Sequence, residues 1–173
     1  MRDSRGFTLI ELIIVMAIVG IISLGTILGV GILGYGNAKS ATARIKSLSD
    51  NARIENMTKK EEYFLVIYHQ DKNYYLSIQT EKNGIRINKK TEKLDLRKGS
   101  ISFQNKDGNR FLISSQAVEG VDVRDKLEIE FTKETGGLKT NYLSEIVKSI
   151  EVECNKSSYK IHFVEATGKA YVD

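Results

Sequence analysis

The feature that most constrains this chain is an apolar run that begins close to its amino terminus. From Leu12 to Leu33 the sequence has no charged residue, and its aliphatic side chains are interrupted only by Ser23, Thr26 and several glycines. A helix of about 20 apolar residues crosses a bilayer hydrocarbon core of about 30 Å. We therefore expect a membrane-spanning helix followed by a water-exposed domain.

The residues before this run have the opposite character. Met1–Gly6 contains only charged, small and initiator residues. An ordinary secretory signal carries its apolar core before the cleavage site and loses it on processing. Cleavage after Gly6 would instead leave the apolar helix in the mature chain. Arg2 and Arg5 favour a cytoplasmic amino terminus, so we expect the rest of the chain to face outward.

Glu11 places a carboxylate at the start of the apolar run. An ionised side chain at the centre of a bilayer costs about 2.5–3.5 kcal/mol on insertion scales, so an acid there calls for a partner. Cleavage after Gly6 would create an α-amino group on Phe7, one helical turn from Glu11. The same group on a neighbouring copy would neutralise the acid. The sequence thus predicts a subunit that is completed by other subunits.

The sequence from Gly6 to Leu12, GFTLIEL, resembles the processing site of class III signal peptides, which occur in type IV prepilins and in the pseudopilins of type II secretion and competence systems. The resemblance covers roughly Met1 to Leu33. It implies cleavage between Gly6 and Phe7 by a prepilin peptidase, N-methylation of Phe7, and a role for Glu11 in assembly. The implied partners are other pilin subunits, the peptidase, an inner-membrane assembly platform and, before assembly, membrane lipid.

Helical periodicity continues into the polar part of the chain. Apolar residues recur there at spacings of three and four, which predicts one apolar stripe on an amphipathic helix that reaches about Lys60. The stripe consists of Ala38, Ala41, Ile45, Leu48 and Ala52, and the expected solvated residues are Lys39, Arg44, Lys46, Asp50 and Arg53. Two helices joined by a loop at Gly34–Asn37 are the alternative, because glycine and asparagine often end helices.

After Glu62 the pattern changes to period two, with β-branched and aromatic residues that are typical of strands. Turn signals such as Asn83-Gly84 separate the segments. The predicted strands are 63–69, 74–79, 85–88, 101–104, 111–114, 127–131, 150–154, 159–164 and 169–172. The segment from Tyr142 to Lys148 fits either a helical turn or a strand.

These patterns predict an α+β fold in which a long amino-terminal helix, membrane-spanning in its first half and amphipathic in its second, packs on an antiparallel sheet or sandwich head. The expected divisions are a leader (1–6), a transmembrane and assembly helix (7–36), its amphipathic continuation (37–62) and a β-rich head (63–173). Beyond about Lys39 the order of elements is similar to minor pilins of the pseudopilin H type. The chain departs from many pilins in having no proline and a single cysteine.

The sequence offers little catalytic chemistry. His69 and His162 stand alone in predicted strands, without partners at metal-ligand spacing. Cys154 shares a strand face with Ile150 and Val152, which predicts a buried small hydrophobe. The acidic pairs are expected on solvated faces; they are Glu61-Glu62 and Glu128 with Glu130. We therefore expect no enzyme activity, no metal and no cofactor.

One stretch of the predicted head is rich in cations. The members are Lys82, Arg86, Lys89, Lys90, Lys93, Arg97 and Lys98. Such a patch attracts phosphates, and Arg86, Lys89, Lys90, Arg97 and Lys98 are the candidate nucleic-acid contacts. Glu81, Glu92 and Asp95 offset this charge locally, so the alternative is an ordinary surface of mixed charge.

Taken together, the sequence predicts a structural subunit, of the minor kind, in a type IV pilus or pilus-like filament. The expected location is first the cell membrane, as a single-pass protein with an outward-facing head, and then a cell-surface pilus or pseudopilus. A pseudopilin of a type II secretion or competence DNA-uptake machine is one alternative. A membrane-tethered binding or sensory domain is another, although a tether alone needs no acid beside a cleavable Gly6-Phe7 bond.

Overall fold

The computed structural model describes residues 9–96, 98–140 and 145–173, with side chains throughout these ranges except at residues 20–36. The chain divides into two compact units, Met1–Leu33 and Gly34–Asp173. The architecture is α+β, with one helix followed by two sheets in the described residues. The predicted fold class is confirmed at this level.

Helix α1 spans Leu9–Thr58. The alternative of two helices joined at Gly34–Asn37 is wrong, since helical backbone continues through these residues. The helix ends two residues before the predicted Lys60. In its last turn the hydroxyl of Thr58 donates a 2.8 Å hydrogen bond to the carbonyl of Ile54.

The predicted apolar stripe of α1 is confirmed, because all five of its members are buried. On the other side of the helix Arg44 is exposed, as expected. Arg53 is not fully solvated: it is half-buried and donates a 3.2 Å hydrogen bond to the carbonyl of Thr167. That expectation was wrong because the loop before the last strand lies against this turn of the helix.

The first sheet has five strands, β1 (Glu62–Gln70), β2 (Asn73–Lys82), β3 (Ile85–Leu94), β7 (Lys126–Phe131) and β8 (Leu138–Lys139). Their order in the sheet is β3-β2-β1-β7-β8, and all neighbours are antiparallel. β1 and β2 form the predicted hairpin. The Asn83-Gly84 turn between β2 and β3 places both residues at positive φ, 54° and 75°, as a two-residue hairpin turn requires.

The second sheet has six strands, β4 (Gly99–Asn105), β5 (Arg110–Ile113), β6 (Val123–Arg124), β9 (Val147–Cys154), β10 (Ser157–Phe163) and β11 (Ala170–Val172). Their order in the sheet is β11-β10-β9-β4-β5-β6. Neighbours are antiparallel except for β5 and β6, which run parallel. Residues 141–144 lie outside the described part, and the rest of the undecided Tyr142–Lys148 segment leads into β9.

Strand β3 is longer than the sequence predicted. It continues beyond Asn88 to Leu94 through a polar stretch that has no apolar alternation. β3 pairs only with β2 and so forms an edge of the first sheet. Charged residues are common on such edges because they discourage pairing with another chain. The two-residue strands β6 and β8 were not predicted, since two residues carry no periodicity.

One hydrophobic cluster joins α1 to both sheets, and Ile45, Leu65, Phe103 and Ile150 belong to it. A buried amide fixes the end of the helix to the first sheet. Asn56 donates a 2.5 Å hydrogen bond to the carbonyl of Phe131 in β7 and accepts a 3.0 Å bond from the backbone N–H of Tyr63 in β1. The last turns of α1 are thereby held against two strands at once.

Candidate functional site

The amino-terminal turns of α1 contain the only residue of the predicted assembly site that the structure describes. Glu11 lies in the first turn of the helix. A carboxylate is favoured there because unpaired backbone N–H groups give this end of a helix a partial positive charge. Gly6 and Phe7, the predicted processing residues, lie outside the described residues.

Apolar side chains surround Glu11 on every side of the helix. Each of the following is more than half exposed: Leu9, Ile10, Leu12, Ile13, Ile14, Val15, Met16, Ile18 and Val19. A helix that is hydrophobic all round is normally buried in a protein core or in lipid. An exposed apolar surface of this extent indicates a region that contacts other molecules.

Within the residues that the structure describes, no helix has both the length and the hydropathy that are needed to span a bilayer.

The candidate cationic patch is organised around Arg86 in β3. Its Nη1 donates a 2.6 Å hydrogen bond to Oε1 of Glu128, its Nε lies 3.8 Å from Glu81, and its guanidinium stacks 4.9 Å from the ring centroid of Phe64. The hydrogen bond to Glu128 is the main reason why the pKa of Arg86 is raised. The charge of Arg86 is therefore offset by a buried carboxylate.

The other candidate cations are partly neutralised as well. Lys89 lies 4.0 Å from Glu61, and Lys90 lies 2.7 Å from Glu92. Glu92 also accepts a 3.0 Å hydrogen bond from Arg44, and the hydrogen bonds from Lys90 and Arg44 lower its pKa despite some burial. Lys82, Lys93 and Lys98 are exposed, and Arg97 lies outside the described residues.

Glu128 and Glu130 are buried, so the prediction that they line a solvated face is wrong. Register places them opposite Val66 and Phe64, on the face of the first sheet that points away from the hydrophobic cluster. The side chain of Arg86 covers part of that face, because it stacks on the ring of Phe64 and reaches Glu128. This contact could not be predicted from local sequence patterns, because it joins strands that are far apart in the chain.

The two buried acids respond to their surroundings in opposite directions. Burial alone would raise the pKa of Glu128, but hydrogen bonds from Arg86 and Lys126 outweigh it and lower the pKa. For Glu130, burial prevails over the attraction of Lys139, which lies 3.7 Å away, and the pKa is raised. The ionised form of Glu128 is thus stabilised, whereas the ionised form of Glu130 is disfavoured.

The histidines and the cysteine lie in separate environments. His69 Nδ1 accepts a 3.2 Å hydrogen bond from the backbone N–H of Ser115, and His162 Nε2 lies 2.8 Å from Oδ2 of Asp173. Cys154 is buried, as predicted, and burial raises the pKa of its thiol. Among the described residues no group of three or more His, Cys, Asp or Glu is arranged to hold a metal ion.

A polar network on the second sheet was not predicted from the sequence. Arg110 donates hydrogen bonds of 3.1 Å to Ser102 and to Glu153, and lies 3.0 Å from Glu151. Glu151 also accepts a 2.8 Å bond from the hydroxyl of Ser158. The signal for this face was the alternation of serine and glutamate with apolar residues in β4 and β9, which places the polar residues together on one side.

Comparison with known protein families identifies the amino-terminal part of the chain. Residues 1–27 match a family model described as the prokaryotic N-terminal methylation motif. No curated protein and no solved structure was found to match the chain.

Proposed function

Because residues 1–27 carry the methylation motif that forms the class III signal peptide of type IV pilins and pseudopilins, we propose that this chain is a structural, minor subunit of a type IV pilus or a similar filament. The observation that carries the proposal is the ring of exposed apolar side chains around Glu11 in α1. Such a surface is normally buried, either in lipid or against other helices, and a filament of packed helices provides the helix contacts.

Processing prepares the helix for assembly. A prepilin peptidase cleaves between Gly6 and Phe7, and the new α-amino group of Phe7 is methylated. Glu11 then pairs with the amino group of Phe7 on an adjacent subunit. The pairing neutralises an acid that apolar side chains would otherwise surround, and it fixes the axial register between subunits. Head-to-tail contacts of this kind extend into a filament because they do not close into a ring.

The division of the chain follows from this role. Residues 1–6 form the leader, residues 7–36 lie in the membrane before assembly and in the filament core afterwards, and residues 37–62 contain the rest of the helix, which ends at Thr58. Residues 63–173 form the displayed head, which faces outward because Arg2 and Arg5 keep the amino terminus in the cytoplasm. The assembly platform of the inner membrane extracts the processed subunit into the filament.

A minor rather than major subunit is supported by the strand-rich head and by the single cysteine, which leaves the head without an internal disulfide. A subunit that serves protein secretion or DNA uptake would need the same processing and the same helix. The copy number of the chain in purified filaments distinguishes a minor from a major subunit. Deleting each machine in turn, and finding which deletion removes the chain from the cell surface, identifies the machine that it serves.

The test is the variant Glu11→Ala, with Glu134→Ala in an exposed loop as the matched control. We expect normal membrane insertion but impaired incorporation for Glu11→Ala, since its apolar helix is intact and its partner contact is lost. Quantitative blotting of membrane and sheared-filament fractions measures both. Normal incorporation of Glu11→Ala would exclude the assigned role.

Amino-terminal sequencing of the mature protein gives an independent check. Methylated Phe7 at the first position supports a processed filament subunit. An intact Met1 would instead indicate a tethered domain that is never assembled. Gly6→Leu serves as the control, because we expect it to retain the leader and to lack the methyl group.

A further inference from the structure

The face of the second sheet that points away from the hydrophobic cluster contains a narrow polar cavity of about 130 Å³. We call it the serine groove and define it by Ser102, Gln104, Arg110, Ser149, Glu151 and Lys160. Ser102 and Ser149 form its floor, and both are buried although they lie on the outer side of the sheet. The longer side chains beside them form its walls.

Lys160 stands out among the wall residues. It lies directly opposite Glu151 in the register of β9 and β10, where an oppositely charged pair normally interacts. Glu151 is already bound by Arg110 and by the hydroxyl of Ser158. Within the described residues the ammonium group of Lys160 makes no ion pair or hydrogen bond. The ammonium group of Lys160 thus lies along the cavity beside Glu151 but does not bind it.

The acceptor groups of the groove are held in fixed positions. Arg110 is bound to Ser102, Glu151 and Glu153 together, and the hydroxyl of Ser100 donates a 3.2 Å hydrogen bond to Glu153. Polar groups that are already fixed lose little conformational entropy when a ligand binds. This network therefore forms a pre-organised hydrogen-bonding surface.

A second cavity of about 420 Å³ adjoins the groove on the other side of Arg110. Ser102 and Arg110 line both cavities, and Leu112 and Val121 give the second one apolar walls. From Lys160 in β10 to Arg110 in β5 there are three strand-to-strand steps, or roughly 14 Å. The combined surface suits an extended ligand with polar edges and apolar patches.

The charges and the topology restrict the ligand further. The two cavities together contain the cations Arg110 and Lys160 but three carboxylates, Glu151, Glu153 and Asp122, so a polyanion such as nucleic acid is disfavoured. The surface crosses the middle of the sheet, between strands that are already paired on both sides. A peptide that binds by strand addition needs a free edge instead.

From these observations we propose that the serine groove binds a neutral saccharide of two or more sugar units. One hydroxyl of a vicinal diol would donate to Glu151, which can accept a further hydrogen bond, while its neighbour accepts from Lys160, which thereby gains a partner. Hydrocarbon faces of the next sugar ring would contact Leu112 and Val121. Close by, the stacked rings of His162 and Tyr171, 5.2 Å apart, extend the polar face with an exposed aromatic surface.

The test uses the full chain in a detergent with a phosphocholine headgroup, because sugar-based detergents would compete. The probes are maltose, cellobiose, lactose and mannobiose, measured by saturation-transfer NMR and by calorimetric titration. We expect at least one disaccharide to bind in the millimolar range. The absence of detectable binding by all four disaccharides at concentrations well above the millimolar range would overturn the proposal.

Three variants locate the binding. We expect Lys160→Ala and Glu151→Gln to weaken binding at least tenfold, and Ser149→Leu to abolish it by filling the floor of the groove. Lys156→Ala, in the exposed turn between β9 and β10, is the matched control and should bind like the wild type. Circular dichroism verifies that each variant is folded. Unchanged binding by both Lys160→Ala and Ser149→Leu would place the ligand elsewhere and refute the proposal, as would a preference for a sulfated disaccharide.

Discussion

The guanidinium of Arg86 in β3 bonds to the carboxylate of Glu128 in β7, although β2 and β1 lie between these strands in the order of the sheet. In a flat sheet the two strands would be roughly 14 Å apart, a distance that the extended side chains of Arg86 and Glu128 span together. The guanidinium crosses the face of the sheet over β1, where it lies 4.9 Å from the ring centroid of Phe64.

Arg86→Met should destabilise the folded head by about 1–3 kcal/mol at pH 7, because it removes a hydrogen bond to a charged, buried group. The pKa of Glu128 is lowered in the folded state. The stabilisation is therefore present above the ordinary glutamate pKa of about 4.3 and is lost as the pH falls through the lower, folded value. Urea denaturation between pH 3 and 7 measures the difference.

Lys82→Met is the control for this experiment, since Lys82 is an exposed cation at the end of β2. We expect its effect on the free energy of unfolding to be within about 0.5 kcal/mol at every pH. A difference between wild type and Arg86→Met that did not shrink in acid would contradict the proposed dependence on ionised Glu128.

Ile45→Ala and Ile54→Ala compare two isoleucines on the same helix. Ile45 is fully buried, whereas Ile54 is half exposed. The first change should lower the free energy of unfolding by about 2–5 kcal/mol, because it removes buried methyl groups and leaves a cavity. The second should cost much less. Similar losses in denaturant melts would show that the stripe does not hold α1 to the sheets.

Gly168→Ala tests a close approach between two loops. Gly168 has a φ of 62°, and an added Cβ would collide with the carbonyl oxygen of Gly136 and approach Phe131 to 2.9 Å. Gly108 also has a positive φ, 91°, but its Cβ position is open. We expect Gly108→Ala to cost about 1–2 kcal/mol from the backbone alone. Gly168→Ala should cost clearly more, as thermal denaturation of the pair would measure.

The cationic stretch of β3 should bind duplex DNA only weakly, because Arg86, Lys89 and Lys90 each lie against a carboxylate. Binding of the full chain in detergent should be detectable at low salt at most, and should disappear by about 0.15 M salt. Fluorescence anisotropy with a labelled duplex over a salt series tests this. Tight binding of DNA at physiological salt would contradict the view that carboxylates neutralise the cations of β3.

Local periodicity predicted the parts of the fold that depend on neighbours in the chain. The stripe from Ala38 to Ala52 and the β1–β2 hairpin follow from spacings of three to four and of two. Glu128 and Glu130 were misjudged because alternation shows which residues share a face but not whether a distant residue such as Arg86 covers it. The serine groove was not predicted for the same reason, because its residues come from four different strands.

The attachment of α1 to the head has a mechanical consequence. Buried contacts extend from Ala38 to Ala52, roughly 21 Å along the helix axis, and Asn56 adds hydrogen bonds to two strands beyond them. A pull along the axis loads all of these contacts in shear at the same time. Tension on the helix therefore cannot peel it from the sheets one turn after another, and the head resists force as a unit.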